Sequence, residues 1–131
     1  MARILIADDR ESMRTALRAM FIMRPCWEIC GEAEDGSEAI AKATQLQPDV
    51  IVMDFKMPLM DGLRAATEIC RNLPTTPIVM YTLYKSLELE VAAKLAGVRR
   101  LVGKEDGIQT LLATIEAELV AQKYQEKSEQ S

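Results

Sequence analysis

The chain has 131 residues, 49% of them hydrophobic and 27% charged, with a net charge of −4. That length suits one domain with a real core, and the acidic balance argues against nucleic-acid binding by the domain, which needs clustered Lys and Arg. No stretch reaches the about 20 apolar residues of a membrane span, and the start Met1-Ala2-Arg3-Ile4-Leu5-Ile6 has no signal-peptide layout, so a cytoplasmic protein is expected.

Short apolar runs alternate with helical patterns along the whole chain. Arg3 to Ala7 reads as the first strand. Met13, Leu17, Met20 and Phe21 recur at helical spacing and predict a helix from about Glu11 to Met23, stopped by Pro25. Trp27 to Ala33 is the second strand, and Asp35-Gly36-Ser37 opens a helix through Gln45. Val50 to Met53 is the third strand, followed by a helix from Leu63 to Asn72 that ends before Pro74 and Pro77. Ile78 to Tyr81 is the fourth strand, with a helix from Ser86 to Leu95 ending at Gly97. A short fifth strand covers Arg100 to Val102, and the last helix covers Ile108 to Gln122. Residues 123–131 are polar and without an apolar face, so a disordered tail outside the 1–122 domain is expected.

Strands alternating with helices of this length imply right-handed βαβ units and a parallel sheet. The near-continuous apolar strands fit a sheet covered on both faces. The expected fold is a three-layer α/β/α domain with five parallel strands in the flavodoxin-like order 2-1-3-4-5.

The chemistry gathers at the C-terminal ends of the strands, where open α/β sheets bind ligands. Asp8-Asp9 ends strand one and Asp54 ends strand three, its neighbour in this order. Three converging carboxylates repel one another unless a cation neutralises them. An all-oxygen ligand set favours a hard cation, and Mg²⁺ suits a few carboxylates plus water and phosphate. Thr82 and Lys104, at the ends of strands four and five, add a hydroxyl and an ammonium. Taken singly, Thr82 is an ordinary strand residue and Lys104 a solvated cation. Together the five residues meet the needs of phosphoryl transfer, with Asp54 as a nucleophile that would form an aspartyl phosphate. The sequence contains no histidine, which removes His-based acid–base catalysis, Ser-His-Asp triads and His-ligated zinc. Cys26, Cys30 and Cys70 are odd in number and lack Cys-x-x-Cys spacing, as reduced thiols do.

Asp8-Asp9, Asp54 with Met57-Pro58-Leu59-Met60-Asp61-Gly62, Thr82 and Lys104 resemble the receiver domain of two-component response regulators, of the NarL-like type, over about residues 2–121. The resemblance implies that Asp54 accepts a phosphoryl group from a phosphohistidine on a sensor histidine kinase or histidine phosphotransfer protein, or from acetyl phosphate. It implies Mg²⁺ held by Asp9, Asp54 and the Lys56 carbonyl, with Asp8 acting through a metal-bound water. Lys104 would pair with the carboxylate and then with phosphoryl oxygens. Thr82 would couple the site to the surface of the fourth helix, fifth strand and fifth helix. Such a domain catalyses its own phosphorylation and dephosphorylation without acting on an external substrate. The resemblance further implies an effector, either missing from this chain or a separate output protein, and a homodimer through the helix four to helix five face.

The pattern also departs from the family. Leu101 stands where receivers usually carry the aromatic switch residue, three positions before the lysine. Glu105 replaces the proline that often follows the lysine, so no cis peptide is expected there. Leu83 replaces a small residue after Thr82. Lys56 and Tyr84 flank the pocket, and a cation with a large ring there would shield an acyl phosphate from water and slow its loss. Other classes fit less well. A haloacid-dehalogenase-like phosphatase wants a second Asp where Lys56 sits, and a flavin binder wants a phosphate loop where Asp8-Asp9-Arg10-Glu11 would repel phosphate. A degenerate receiver that only binds partners is the nearest rival, and an adduct formed from acetyl phosphate and Mg²⁺ and lost in Asp54→Asn would discriminate the two.

Overall fold

The structure, a computed structural model, describes the backbone of residues 1–130 and the side chains of residues 1–124. Five parallel strands run β1 (Ala2–Ala7), β2 (Trp27–Ala33), β3 (Val50–Met53), β4 (Ile78–Thr82) and β5 (Arg100–Gly103), in the order β2-β1-β3-β4-β5. Between and after them lie α1 (Glu11–Phe21), α2 (Gly36–Leu46), α3 (Gly62–Asn72), α4 (Leu87–Leu95), a 3₁₀ turn at Lys104–Asp106, and α5 (Ile108–Gln130). The flavodoxin-like α/β/α fold expected from the alternating pattern is the fold observed.

Strand alternation divides the core in two, because successive side chains point to opposite faces. Leu5, Ile51, Met53, Ile78 and Met80 face the small-residue surfaces of α2, α3 and α4. Ile4, Ile6, Val50, Val52 and Val79 face Leu17 and Phe21 of α1 and the Leu111–Ile115 stretch of α5. All four residues of β3 are buried, so the central strand is apolar throughout and its first polar residue, Asp54, marks its end. Each large aliphatic side chain buried this way contributes about 1.5–3 kcal/mol.

Helix ends follow local hydrogen bonding more than apolar spacing. Asp35, Asp61 and Ser86 cap α2, α3 and α4 by accepting from backbone N–H groups three residues on. Helix α1 stops at Phe21, short of the expected Met23, and Ile22 and Met23 are exposed. β4 and β5 each extend one residue further than expected, because Thr82 pairs with Gly103. The α5 backbone is helical past Gln122 as far as Gln130, through residues with adequate helix propensity and no Pro or Gly to stop them. Ser131 lies outside the described residues. No helix of the described residues is long and apolar enough to cross a membrane.

Candidate functional site: an acidic pocket with a buried lysine

Register brings the first two strand ends level. Ala7 pairs with Met53, and the next residue, Asp54, donates its N–H to the Ala7 carbonyl at 2.9 Å. Asp8 and Asp54 therefore leave the sheet side by side, both buried. Asp9 follows and is exposed, yet Asp8, Asp9 and Asp54 each offer an oxygen within 4.8 Å of the others. On the far side, the Thr82–Gly103 pair sets Lys104 at the same edge.

Lys104 reaches across that edge. Its Nζ donates to Asp54 Oδ2 at 3.0 Å and to Asp8 Oδ2 at 3.1 Å, with only 5% of its side chain exposed. It is thus a buried ammonium held between two buried carboxylates, with the Tyr81 ring 5.8 Å beneath it. Asp54 Oδ1 accepts from the Phe55 N–H at 2.7 Å. Burial pushes the Asp54 carboxyl above its ordinary range. The Lys104 ammonium pulls it back, the Asp8 charge pushes it up again, and the Phe55 N–H lowers it.

Asp8 is pinned at every polar group. Its N–H donates to Ala33, Oδ1 accepts from the Arg10 N–H at 2.9 Å, Oδ2 accepts from Lys104, and its carbonyl accepts from Arg14 Nη1 at 2.7 Å. The sequence reading missed Arg14. It occupies the buried side of α1, three residues before Leu17 and seven before Phe21, so a charge on the apolar stripe was the available signal.

The loops over the pocket complete it. Gly62 approaches so closely that a Cβ there would lie 2.2 Å from the Asp54 carbonyl oxygen. Fully buried Thr82 accepts through Oγ1 from the Tyr84 N–H at 3.2 Å, so its hydroxyl proton stays available to a third group. The exposed Lys56 places its Nζ 5.0 Å from the centre of the Tyr84 ring, joining the β3–α3 and β4–α4 loops. Lys85 pairs with Asp106 at 3.2 Å, and Asp106 also accepts from the Gly103 N–H. That contact, with Lys85 the larger cause, holds the Asp106 carboxyl below its ordinary range. Leu101 is half-buried and packs against the α2–α3–α4 side of the core. No cis peptide occurs among the described residues, and the Lys104–Asp106 turn carries the chain onward.

The donor set formed by Asp8, Asp9 and Asp54 is all carboxylate oxygen. Such a set fits a hard divalent cation of the Mg²⁺ type.

The response regulator receiver domain family matches residues 4–116. This chain belongs to that family. The receiver is 45% identical over 82 residues to the transcriptional regulatory protein LiaR of Bacillus subtilis, covering 63% of this chain and 39% of that protein. It is 37% identical over 121 residues to a protein-glutamate methylesterase/protein-glutamine glutaminase of Methanococcoides burtonii, covering 92% of this chain and 34% of that protein. Among solved structures, a LuxR-family two-component response regulator from Aurantimonas superposes with a TM-score of 0.89 at 29% identity, over 92% of this chain and 86% of that one. The receiver spans little more than a third of these curated relatives.

Proposed function

We propose that this receiver accepts a phosphoryl group on Asp54 from a phosphohistidine of a sensor histidine kinase or histidine phosphotransfer protein, in a Mg²⁺-dependent reaction. Asp54 attacks phosphorus, the bond from phosphorus to the donor imidazole nitrogen breaks, and an acyl phosphate forms on the carboxylate. One observation carries the reading: Lys104 touches both Asp8 and Asp54 at a strand edge where three carboxylates converge. A buried cation beside a carboxylate is poised to follow the charge as it moves onto phosphoryl oxygens. Asp8, Asp9, Asp54 and the Lys56 carbonyl would hold Mg²⁺, which would neutralise the phosphoryl charge when bound. Thr82 would donate its hydroxyl proton to a phosphoryl oxygen, and Lys104 would turn from Asp54 toward another.

The output follows from the second half of the pocket. Drawing Thr82 toward Asp54 would disturb its contact with the Tyr84 N–H, and so the β4–α4 loop that Lys85 ties to Asp106. Partner binding would change there, serving an effector elsewhere in a longer protein or a separate output protein, within the cytoplasm. Incubation with acetyl phosphate and Mg²⁺ tests the reading. A phosphoryl-sized mass increase in the wild type, absent in Asp54→Asn, is expected. No increase from acetyl phosphate or from a cognate kinase would sink it, and would favour a receiver that binds partners without phosphorylation.

A further inference from the structure

Besides the Lys104 side chain, five polar or charged residues are buried as whole residues among those described: Asp8, Arg14, Asp54, Thr82 and Glu118. Three belong to the pocket, and Glu118 pairs with Arg100 at the start of β5. Arg14 is the remaining one, and its side chain is only 10% exposed. Burying a guanidinium is costly, and an apolar residue of similar size would often stabilise the helix–sheet contact as well or better. What Arg14 holds is therefore informative.

Its fork has two ends. Nε and Nη2 meet Glu32 at 3.3 Å and Glu34 at 3.4 Å, which neutralise the charge from the β2 side. Nη1 donates to the Asp8 carbonyl. That carbonyl is half of the peptide linking Asp8 to Asp9, so fixing it fixes the plane from which the Asp9 side chain departs. Asp9 needs this support. Asp8 and Asp54 each have both carboxylate oxygens or their neighbours engaged, whereas the Asp9 carboxylate makes no hydrogen bond among the described residues. Only its backbone aims it at the other two.

We propose that Arg14 is a positioning residue for the acidic cluster: by clamping the Asp8–Asp9 peptide it holds the Asp9 carboxylate at metal-binding distance from Asp8 and Asp54. Arg14 touches neither metal nor phosphoryl group. It acts as outer partners of metal ligands do, and removing such partners commonly costs about 10–100-fold in metal affinity. Arg18, one turn along α1, provides an internal control. It pairs with Glu32 at 3.0 Å and so shares the α1–β2 connection, without an Asp8 contact.

The inference rests on the Mg²⁺-dependent reading above, and calorimetric titration of the full chain with Mg²⁺ alone separates the two. Wild type is expected to bind, Arg14→Met to bind about 10-fold more weakly, and Arg18→Met to bind as wild type does. Melting temperature and circular dichroism establish that each variant is folded. A wild type that binds no Mg²⁺ overturns the reading and the inference together. Binding by a folded Arg14→Met equal to wild type overturns the inference alone, as does an equal loss in Arg18→Met. Should Arg14→Met not fold, nuclear magnetic resonance of the wild type decides. Mg²⁺ is expected to shift the Arg14 guanidinium signals together with the Asp9 amide, and a shift at Asp9 with none at Arg14 overturns the proposal.

Discussion

The floor and the roof of the pocket are built on different principles. The floor, made by Asp8 and Asp54 at the ends of β1 and β3, is buried, and these two carboxylates are held by main-chain donors and Lys104. The roof, made by the β4–α4 loop and the turn after β5, exposes Leu83, Tyr84 and Leu87, and is tied down by contacts between surface side chains. Surface ion pairs contribute little, whereas a buried charge without its partner is strongly unfavourable. The floor is thus rigidly specified, while the roof can be rearranged at small cost. That division suits a domain whose chemistry is fixed and whose readout varies.

Removing the floor's cation is the strongest way to break this contrast. Lys104→Met is expected to slow phosphorylation by acetyl phosphate by about 10²–10³-fold, the usual loss of one charge-stabilising donor. A loss under tenfold would mean that the floor does not carry the chemistry. Next comes Gly62→Ala, which drives a methyl group into the Asp54 carbonyl and should destabilise the fold by about 1–3 kcal/mol in denaturant titration.

A third test sharpens the electrostatics of the floor. Burial raises the folded Asp54 carboxyl above its ordinary value of 3.8, so the folded chain keeps a proton that the unfolded chain has released. That contribution to stability is fully present below 3.8 and is lost as pH rises through the folded value. Asp54→Asn carries no such penalty. Its melting temperature should exceed that of wild type by a few degrees at neutral pH, and the gap should close toward acid. A gap independent of pH would assign the gain to something other than charge. The smallest expected effect belongs to the roof. Exposed cation–π contacts contribute about 0.5–1 kcal/mol, so Lys56→Ala or Tyr84→Ala should shorten the phosphate lifetime by about two- to fivefold. An unchanged lifetime would leave that contact without a kinetic role.

The sequence carried more of the floor than of the roof. The apolar run of β3 announced its end at Asp54, and alternating elements placed Asp8, Asp9, Thr82 and Lys104 on one edge, because strand order and polarity follow from pattern. Lys104 was expected to face Asp54; that it also bridges to Asp8 depends on side-chain reach that no spacing encodes. Arg14 showed in the sequence only as a charge on the apolar stripe of α1, because its partners Glu32 and Glu34 lie on and just after β2. The Lys85–Asp106 contact likewise joins two loops of unrelated local pattern. Helix limits were read least well, since caps and fraying decide them within one or two residues.

The contact between Lys104 and Asp8 joins residues 96 positions apart. A nascent chain that has emerged only through α4 already contains Asp8, Asp9 and Asp54, but lacks the ammonium that holds two of them together. Three acidic groups would then share one edge with their mutual repulsion unrelieved by that contact. The Asp8–Lys104–Asp54 contact is therefore completed only when β5 has joined the sheet. Closing the sheet with β5 makes the pocket its own certificate of completed folding.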